Sequence, residues 1–519
     1  MVKYNQTTRQ NSKVVNYEGE KAFTGDKYLQ LYLRTATQMV MTDKFYGDKN
    51  EQYQEWIGAV RDMAKQDPEF LLRLAAYTRN QMKLRTAPMA MLVEALLENK
   101  GNQKAYDMVR KYGWKVIQRA DEFAEIIAYY ISVKGQIGTG TPKTNSLPKT
   151  LKTLINNMLL SDRFTEYNII KNDKNNSFIK LRDVLRITHP HPKDDKTAEF
   201  FRKIVKQESF SDIADETWEG IISKEGSSTE SWTKAASVMP IFATVRNLRN
   251  LLDNDVPLTE VIAKLQNPEQ IKKSRMLPFR FYQAYNEVKG RNLKLDSALE
   301  DSISLATLNN IPHFDGVTIV FVDVSGSMTS KLNSKSKMSY MEIGALFGAV
   351  MRKSHKDTLL FGFDDQIYPI NTNMSDSIFY TMKKILQYSG GATDAWKCIR
   401  MLIDGGIKVD RILFFSDQQN YNSSNRYPYI TRILPPNTIG TIQQFDNVES
   451  LLKQYREQIN PNVILYDIDL SGYGTVSFDP NNPKNIIMAG WSERIFDLMK
   501  VVDDTNKLNI RDVVSTTYP

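Results

Sequence analysis

At 519 residues, 41% of them hydrophobic, the chain exceeds what one core organises and is apolar enough to bury two or more. Its single cysteine, Cys398, excludes an internal disulfide, and one cysteine with four histidines excludes an ordinary Cys/His zinc cluster, so any metal should be hard and held by oxygen. The net charge of +8 is uneven: residues 1–300 hold 47 Lys and Arg against 37 Asp and Glu, the remainder 21 against 23, so only the first part is basic, and charge alone leaves open a polyanion partner or solvated helix faces.

The N-terminus, MVKYNQTTRQNSKVV, lacks the apolar core of a secretory signal, and no apolar run approaches the roughly 20 residues of a membrane span, so the expectation is a cytoplasmic protein away from membranes. Helical spacing then begins. Trp56, Ile57, Val60, Met63 and Ala64 share one face, and Asp67-Pro68 opens a further helix with proline suited to its first position. Met89, Leu92, Val93, Leu96 and Leu97 form another, stopped by Lys100-Gly101; Phe123, Ile126, Ile127, Tyr130 and Ile131 repeat the pattern, with Lys134-Gly135 as the expected stop. Many medium-length helices over about 300 residues predict stacked helix pairs, an α-solenoid, over 1–310. Two polar stretches, Lys134 to Lys149 and Ser223 to Ser231, read as loops; the first carries Lys134, Lys143 and Lys149 with no acid between them.

Beyond about residue 310 the texture changes. Short apolar runs at Val317 to Val324, Thr358 to Phe363, Arg411 to Phe415 and Val463 to Asp467 predict buried parallel strands, with helices over Tyr340 to Lys353, Thr393 to Ile403 and Val448 to Gln458 between them. Strand and helix in alternation predict a doubly wound α/β sheet over 311–519, with its ligand site at the carboxyl ends of the strands. At one such end stands Asp323-Val324-Ser325-Gly326-Ser327; Ser389-Gly390-Gly391-Ala392-Thr393-Asp394 precedes a helix, and Ser416-Asp417 ends the run RILFF. Hydroxyls and carboxylates on three such turns can converge on one cation. Neither phosphate-binding glycine pattern, G-x-x-x-x-G-K-[ST] or G-x-G-x-x-G, stands between strand and helix, which argues against a nucleotide site.

In this part the chain resembles the von Willebrand factor A family, whose metal-ion-dependent adhesion site takes Asp-x-Ser-x-Ser, a Thr from a second loop and an Asp from a third. The resemblance implies Ser325, Ser327 and Thr393 as direct ligands and Asp323 and Asp417 as ligands directly or through water. Hydroxyl, carboxylate and water donors suit Mg2+.

Three segments of the first part resemble the Ro autoantigen (TROVE) family: FIKLRDVLRITHP from Phe178 to Pro190; Thr217-Trp218-Glu219 followed by Ser231-Trp232; and Met239-Pro240 followed by Val245-Arg246-Asn247-Leu248-Arg249-Asn250. The resemblance, to a prokaryotic or viral Ro-related protein, implies a ring of HEAT-like helical repeats with a C-terminal A domain. It implies a non-catalytic, monomeric RNA-binding protein that captures single-stranded 3′ ends of misfolded or non-coding RNAs and Y-like RNAs in RNA quality control or degradation, beside an exoribonuclease and without DNA. Arg182, Arg186 and His189 fall on one helix face, and Lys171 and Lys180 extend the charge, so these five, with Lys134, Lys143 and Lys149, are the candidate RNA contacts. His189-Pro190-His191-Pro192 invites a nuclease reading, but the prolines make the segment extended and no third catalytic partner is evident. The rival reading is a helical-repeat and A-domain adaptor that recruits acidic protein ligands at the cation site and never touches RNA. Departures from the family are the long 134–149 loop and the extra residue in Gly-Gly-Ala-Thr-Asp.

Overall fold

The computed structural model describes residues 22–23, 26–37, 49–137, 147–171, 179–208, 217–331, 338–420, 448–473, 475–490, 494–505 and 510–518. They fall into two units, Asn50–Asn310 with Ile510–Pro519, and Ile311–Asn509 with Met1–Lys49. This differs at both ends of the chain from the expected division into 1–310 and 311–519, for reasons of burial given below.

The first unit is helical. Asp67 caps helix Pro68–Asn80 by accepting from the Phe70 N–H at 3.0 Å. That helix packs on Thr86–Glu98 and Gln103–Val116, and the order continues through Asp121–Ile137, Lys149–Leu159 and Leu181–Thr188, each touching near neighbours in sequence. Such local stacking is the arrangement the helical periodicities predict. Helix Asp121–Ile137 runs through Lys134-Gly135 rather than stopping there, since a glycine inside a helical run weakens it without ending it. The stretch read as a loop at Ser223 to Ser231 reduces to residues 226–228 between helices Trp218–Glu225 and Thr229–Val238. Two of its serines form a capping box: Ser228 Oγ accepts from the Ser231 N–H at 3.1 Å and Ser231 Oγ accepts from the Ser228 N–H at 2.9 Å. Helix Ile510–Thr517 joins this unit because it buries Val513 and Val514 and packs on Pro68–Asn80. Arg511 lies 3.4 Å from Asp67, and the Tyr112 hydroxyl donates to the Tyr518 carbonyl at 3.4 Å.

A buried ion cluster ties three of these helices. Glu122, fully buried, accepts from Arg79 at 2.5 Å and Arg85 at 3.1 Å, and its second oxygen takes the Gln118 N–H at 2.7 Å. Arg79 Nε donates to the Val116 carbonyl at 2.9 Å. Every charge taken from water thus gains a partner, which a buried carboxylate requires.

The second unit is built on one sheet, with six strands among the described residues: β1 (Thr318–Asp323), β2 (Thr358–Phe363), β3 (Ile367–Pro369), β4 (Arg411–Ser416), β5 (Ile464–Asp469) and β6 (Asn485–Ala489). Their order is β3-β2-β1-β4-β5-β6, parallel except for β3, which closes the β2 edge antiparallel. The four expected strands form the middle of the sheet; β3, three residues long, and β6 complete its edges. Phenylalanines pack its faces, Phe321 against Phe414 at 5.0 Å and Phe347 against Phe415 at 5.3 Å. Helix Lys27–Thr37 belongs to this unit because Leu31, Tyr32 and Leu33 are buried and the helix packs on β6. The Ala489 N–H donates to the Tyr32 hydroxyl at 3.4 Å, and Phe23 exchanges backbone hydrogen bonds with Val476.

Candidate functional site

The sheet order reverses direction about β1: the chain moves from β1 to β2 on one side and later to β4 on the other. A crevice opens at the carboxyl ends of two strands whose connections diverge in this way, and it is the usual ligand position in such sheets. Asp323 ends β1 and Ser416 ends β4 at that point.

Asp323 is fully buried. One of its oxygens accepts from the Ser325 N–H at 2.9 Å, the other from the Ser416 hydroxyl at 2.8 Å. Ser416 Oγ in turn accepts from the Gln418 N–H at 3.0 Å, so the third loop is fixed to the first. Ser325 and Ser327, both buried, stand with their hydroxyl oxygens 3.3 Å apart. The second loop docks by backbone: the Gly390 N–H donates to the Val324 carbonyl at 3.2 Å and the Gly326 N–H to the Gly391 carbonyl at 3.4 Å. Thr393 is carried in with it and is buried. Asp417, also buried, accepts from the Gln419 N–H at 3.1 Å. Asp323, Ser325, Ser327 and Asp417 therefore gather at one end of the sheet, with Thr393 on the adjoining loop.

Burial first, and then the charge of Asp417, push Asp323 up to about 7. Lys397, on the helix that follows the second loop, is engaged by carboxylate and carbonyl: it pairs with Asp394 at 2.9 Å and donates to the Asp365 carbonyl. Among the described residues, no three His, Cys, Asp or Glu side chains converge as a metal set. A cation here would draw on hydroxyls as well as carboxylates, and this donor set, hard oxygen throughout, fits a hard divalent ion. Asp323 and Asp417 would supply charge, Ser325, Ser327 and Thr393 neutral oxygens.

Two contributors, Asp364 and Gln418, are absent from the residues singled out in the sequence. Asp364 follows β2, and its carbonyl accepts from the Asp394 N–H at 2.8 Å, fixing the Thr393 loop from behind; the signal was the acidic pair directly after a strand. Gly391 has φ +72, and a Cβ there would lie 2.9 Å from an Asp365 oxygen. Gln418, also left-handed at φ 64, donates to Asp467 at 2.7 Å and accepts from the Ser477 N–H at 3.1 Å. No pattern in the sequence marks that buried pair.

The candidate RNA contacts are more dispersed. Helix Leu181–Thr188 buries Leu181, Val184, Leu185 and Thr188 and leaves Arg186 exposed, with Lys180 and Arg182 half-buried. Arg182 lies 3.7 Å from Asp183. His189 does not share the helix face: it adopts φ 50, ψ 60 as the C-cap, the following proline being unable to continue the helix. Its ring is exposed just beyond the helix end. Lys134 lies half-buried over the Tyr130 ring at 5.4 Å, and Lys149 opens the next helix, exposed. Lys143, the Lys171 side chain and Phe178 lie outside the described residues.

A profile of the Ro60 von Willebrand A domain matches residues 318–428. A solved Ro (RSR) protein from Deinococcus radiodurans aligns with a TM-score of 0.61 at 16% identity, covering 91% of this chain and 99% of that one, a likeness of fold. The TROVE domain profile matches residues 26–215 and 213–359, more than half of the sequence, and the chain therefore belongs to the TROVE family of RNA-binding proteins.

Proposed function

We propose that this protein captures RNA without altering it, holding single-stranded 3′ ends of misfolded or non-coding RNAs, and Y-like RNAs, for quality control or for an exoribonuclease, in the cytoplasm. The observation that carries the reading is TROVE membership across the helical unit. The exposed Arg186, beside half-buried Lys180 and Arg182, supplies the chemistry, since guanidinium and ammonium groups neutralise phosphates and release their counterions. In the A domain, Mg2+ on Ser325, Ser327 and Thr393, with Asp323 and Asp417 direct or through water, would leave an open position for an acidic group from a ligand. No helix among the described residues is long and apolar enough to cross a membrane.

The test compares a structured RNA carrying a single-stranded 3′ tail with its blunt version over a salt series. Wild type should prefer the tail, with a log-log slope near roughly −0.7 per contacted phosphate, and Arg182→Ala/Arg186→Ala should weaken binding and flatten the slope. Affinity equal for both RNAs and indifferent to the substitutions would leave the protein-adaptor reading in its place.

A further inference from the structure

The Val245 to Asn250 motif carries family resemblance, yet its residues divide into two sets in the structure. Helix Ile241–Asp253 buries Ile241, Thr244, Val245, Leu248 and Leu251. Along its flank the asparagines are consumed internally: Asn247 donates to the Ala243 carbonyl at 2.9 Å, Asn250 to the Asn247 side-chain oxygen at 3.0 Å, and Asn254 to the Asn250 carbonyl at 2.8 Å. The chain of bonds continues through Ser227, which donates to Asn254 at 3.0 Å and accepts from the Trp232 indole at 2.8 Å. Asn247 and Asn250 thus spend their amides inside the helix, and of the three only Asn254, through Ser227 and Trp232, ties it to its neighbour.

The arginines are left over. Phe242, Arg246 and Arg249 recur at i, i+4 and i+7 on one face, and all three are exposed. Phe242 is 49% exposed, and Val238, just before the Met239-Pro240 corner, 50%. The Arg246 guanidinium lies 5.8 Å from the centre of the Phe242 ring. Among the described residues neither Arg246 nor Arg249 has a carboxylate partner, whereas Arg202 has Glu199 and Glu208 and Arg61 has Glu94. The helix's own acid, Asp253, is engaged by Arg291 at 2.8 Å. The corner that presents Val238 and Phe242 is fixed by Lys264, whose ammonium donates to the carbonyls of Ala236 at 2.6 Å and of Ser237 and Met239 at 3.1 Å each.

We infer that Phe242, Arg246 and Arg249 form a single-stranded RNA subsite, Phe242 and Arg246 stacking on a base and Arg249 neutralising phosphate, separate from the Arg182 and Arg186 helix. The inference rests on the RNA reading above. An exposed aromatic ring beside unneutralised guanidinium groups offers every base a planar face and every backbone a counter-charge, which is the chemistry of sequence-tolerant single-strand binding. An acidic peptide would use the arginines and leave the ring idle.

The experiment is anisotropy titration of the full chain with a labelled oligouridylate of about 12 nucleotides and with an abasic phosphodiester of equal length, a span adequate for one stacking site. Phe242→Ala should weaken oligouridylate binding by at least about fivefold and leave the abasic oligomer unaffected, and Phe242→Trp should restore it. Arg246→Ala/Arg249→Ala should weaken both oligomers and lower the salt slope. All sites are exposed, so unfolding midpoints should match wild type. If wild type binds oligouridylate and every variant binds equally, the subsite is refuted while the RNA reading stands. If wild type binds neither oligomer nor the tailed RNA, both fall. Polyglutamate displacing oligouridylate as effectively as unlabelled oligouridylate does would overturn the subsite in favour of an acidic protein partner.

Discussion

Replacing Asp323 by Asn should make the metal-free protein more stable at pH 8 and abolish its response to Mg2+. Asp323 is fully buried and pushed up to about 7, against 3.8 for an unperturbed aspartate. The unfolded chain therefore ionises first at this residue as pH rises: the Asp323 contribution to stability is full below about pH 4, falls between about 4 and 7, and stays reduced above. At about 1.4 kcal/mol per pH unit, the deficit at pH 8 reaches on the order of 4 kcal/mol. An amide removes it, less what is lost where the Ser416 hydroxyl must reverse its bond, which in wild type donates to Asp323 at 2.8 Å. A bound cation removes the same deficit differently, by favouring the ionised pair, and an ion at about a hundredfold excess over its Kd adds about 2.7 kcal/mol.

The assay is thermal unfolding of wild type and Asp323→Asn at pH 6 and pH 8, in chelator and in millimolar Mg2+. Wild type should gain several degrees from Mg2+, more at pH 8 than at pH 6, and the variant none; in chelator at pH 8 the variant should melt higher. An equal Mg2+ shift in both proteins, or a variant that melts well below wild type in chelator, would refute the reasoning.

Gly391→Ala should weaken the Mg2+ shift without touching a ligand, because φ +72 and a Cβ 2.9 Å from an Asp365 oxygen force the Thr393 loop away; an unchanged shift would count against the loop's role. Glu122→Ala leaves Arg79 buried without its carboxylate, so urea unfolding should report a loss of about 3–5 kcal/mol, and a loss below about 1 would contradict the cluster's importance. His355 is buried, with Pro312 O and Ser354 Oγ on its ring nitrogens at 3.1 and 2.7 Å, and burial lowers it to about 4. The unfolded histidine takes its proton below about 6.5, so this residue's own contribution to stability should fall by about 3 kcal/mol as pH drops from 6.5 to 4, opposite in sign to that of Asp323 over the same window; the stability of wild type relative to His355→Leu should therefore fall by that amount between the two pH values, and a constant difference would refute it.

What could be read in advance follows from what a local pattern encodes. Helix faces at Trp56 to Ala64 and Met89 to Leu97, and the Asp67-Pro68 start, are local and appear as read. The central strands were legible because burial on both faces demands continuous apolar runs, whereas β3 spans only Ile367–Pro369 and shows no such run. Segment membership was not legible. Helices Lys27–Thr37 and Ile510–Thr517 are ordinary amphipathic stretches whose partners, β6 and Pro68–Asn80, are remote in sequence, and an apolar face does not name what covers it.

The same distinction governs the sites. Asp323, Ser325 and Ser327 stand on one turn, so their convergence was visible, while the contribution of Gln418 depends on Asp467, a pairing across two strands that only the sheet creates. His189 shows the converse: heptad spacing placed it on the face of Arg182 and Arg186, but a left-handed turn before Pro190 ends the helix and takes its ring off that face. For the RNA surface, motif resemblance marks residues without separating scaffold from ligand contact. Arg246 and Asn247 are neighbours in one signature, yet Asn247 spends its amide on the Ala243 carbonyl while Arg246 covers half-exposed Phe242 and meets no carboxylate among the described residues. Hydrogen-bond accounting, residue by residue, is what divides the signature into a part that holds the helix and a part that remains free to bind.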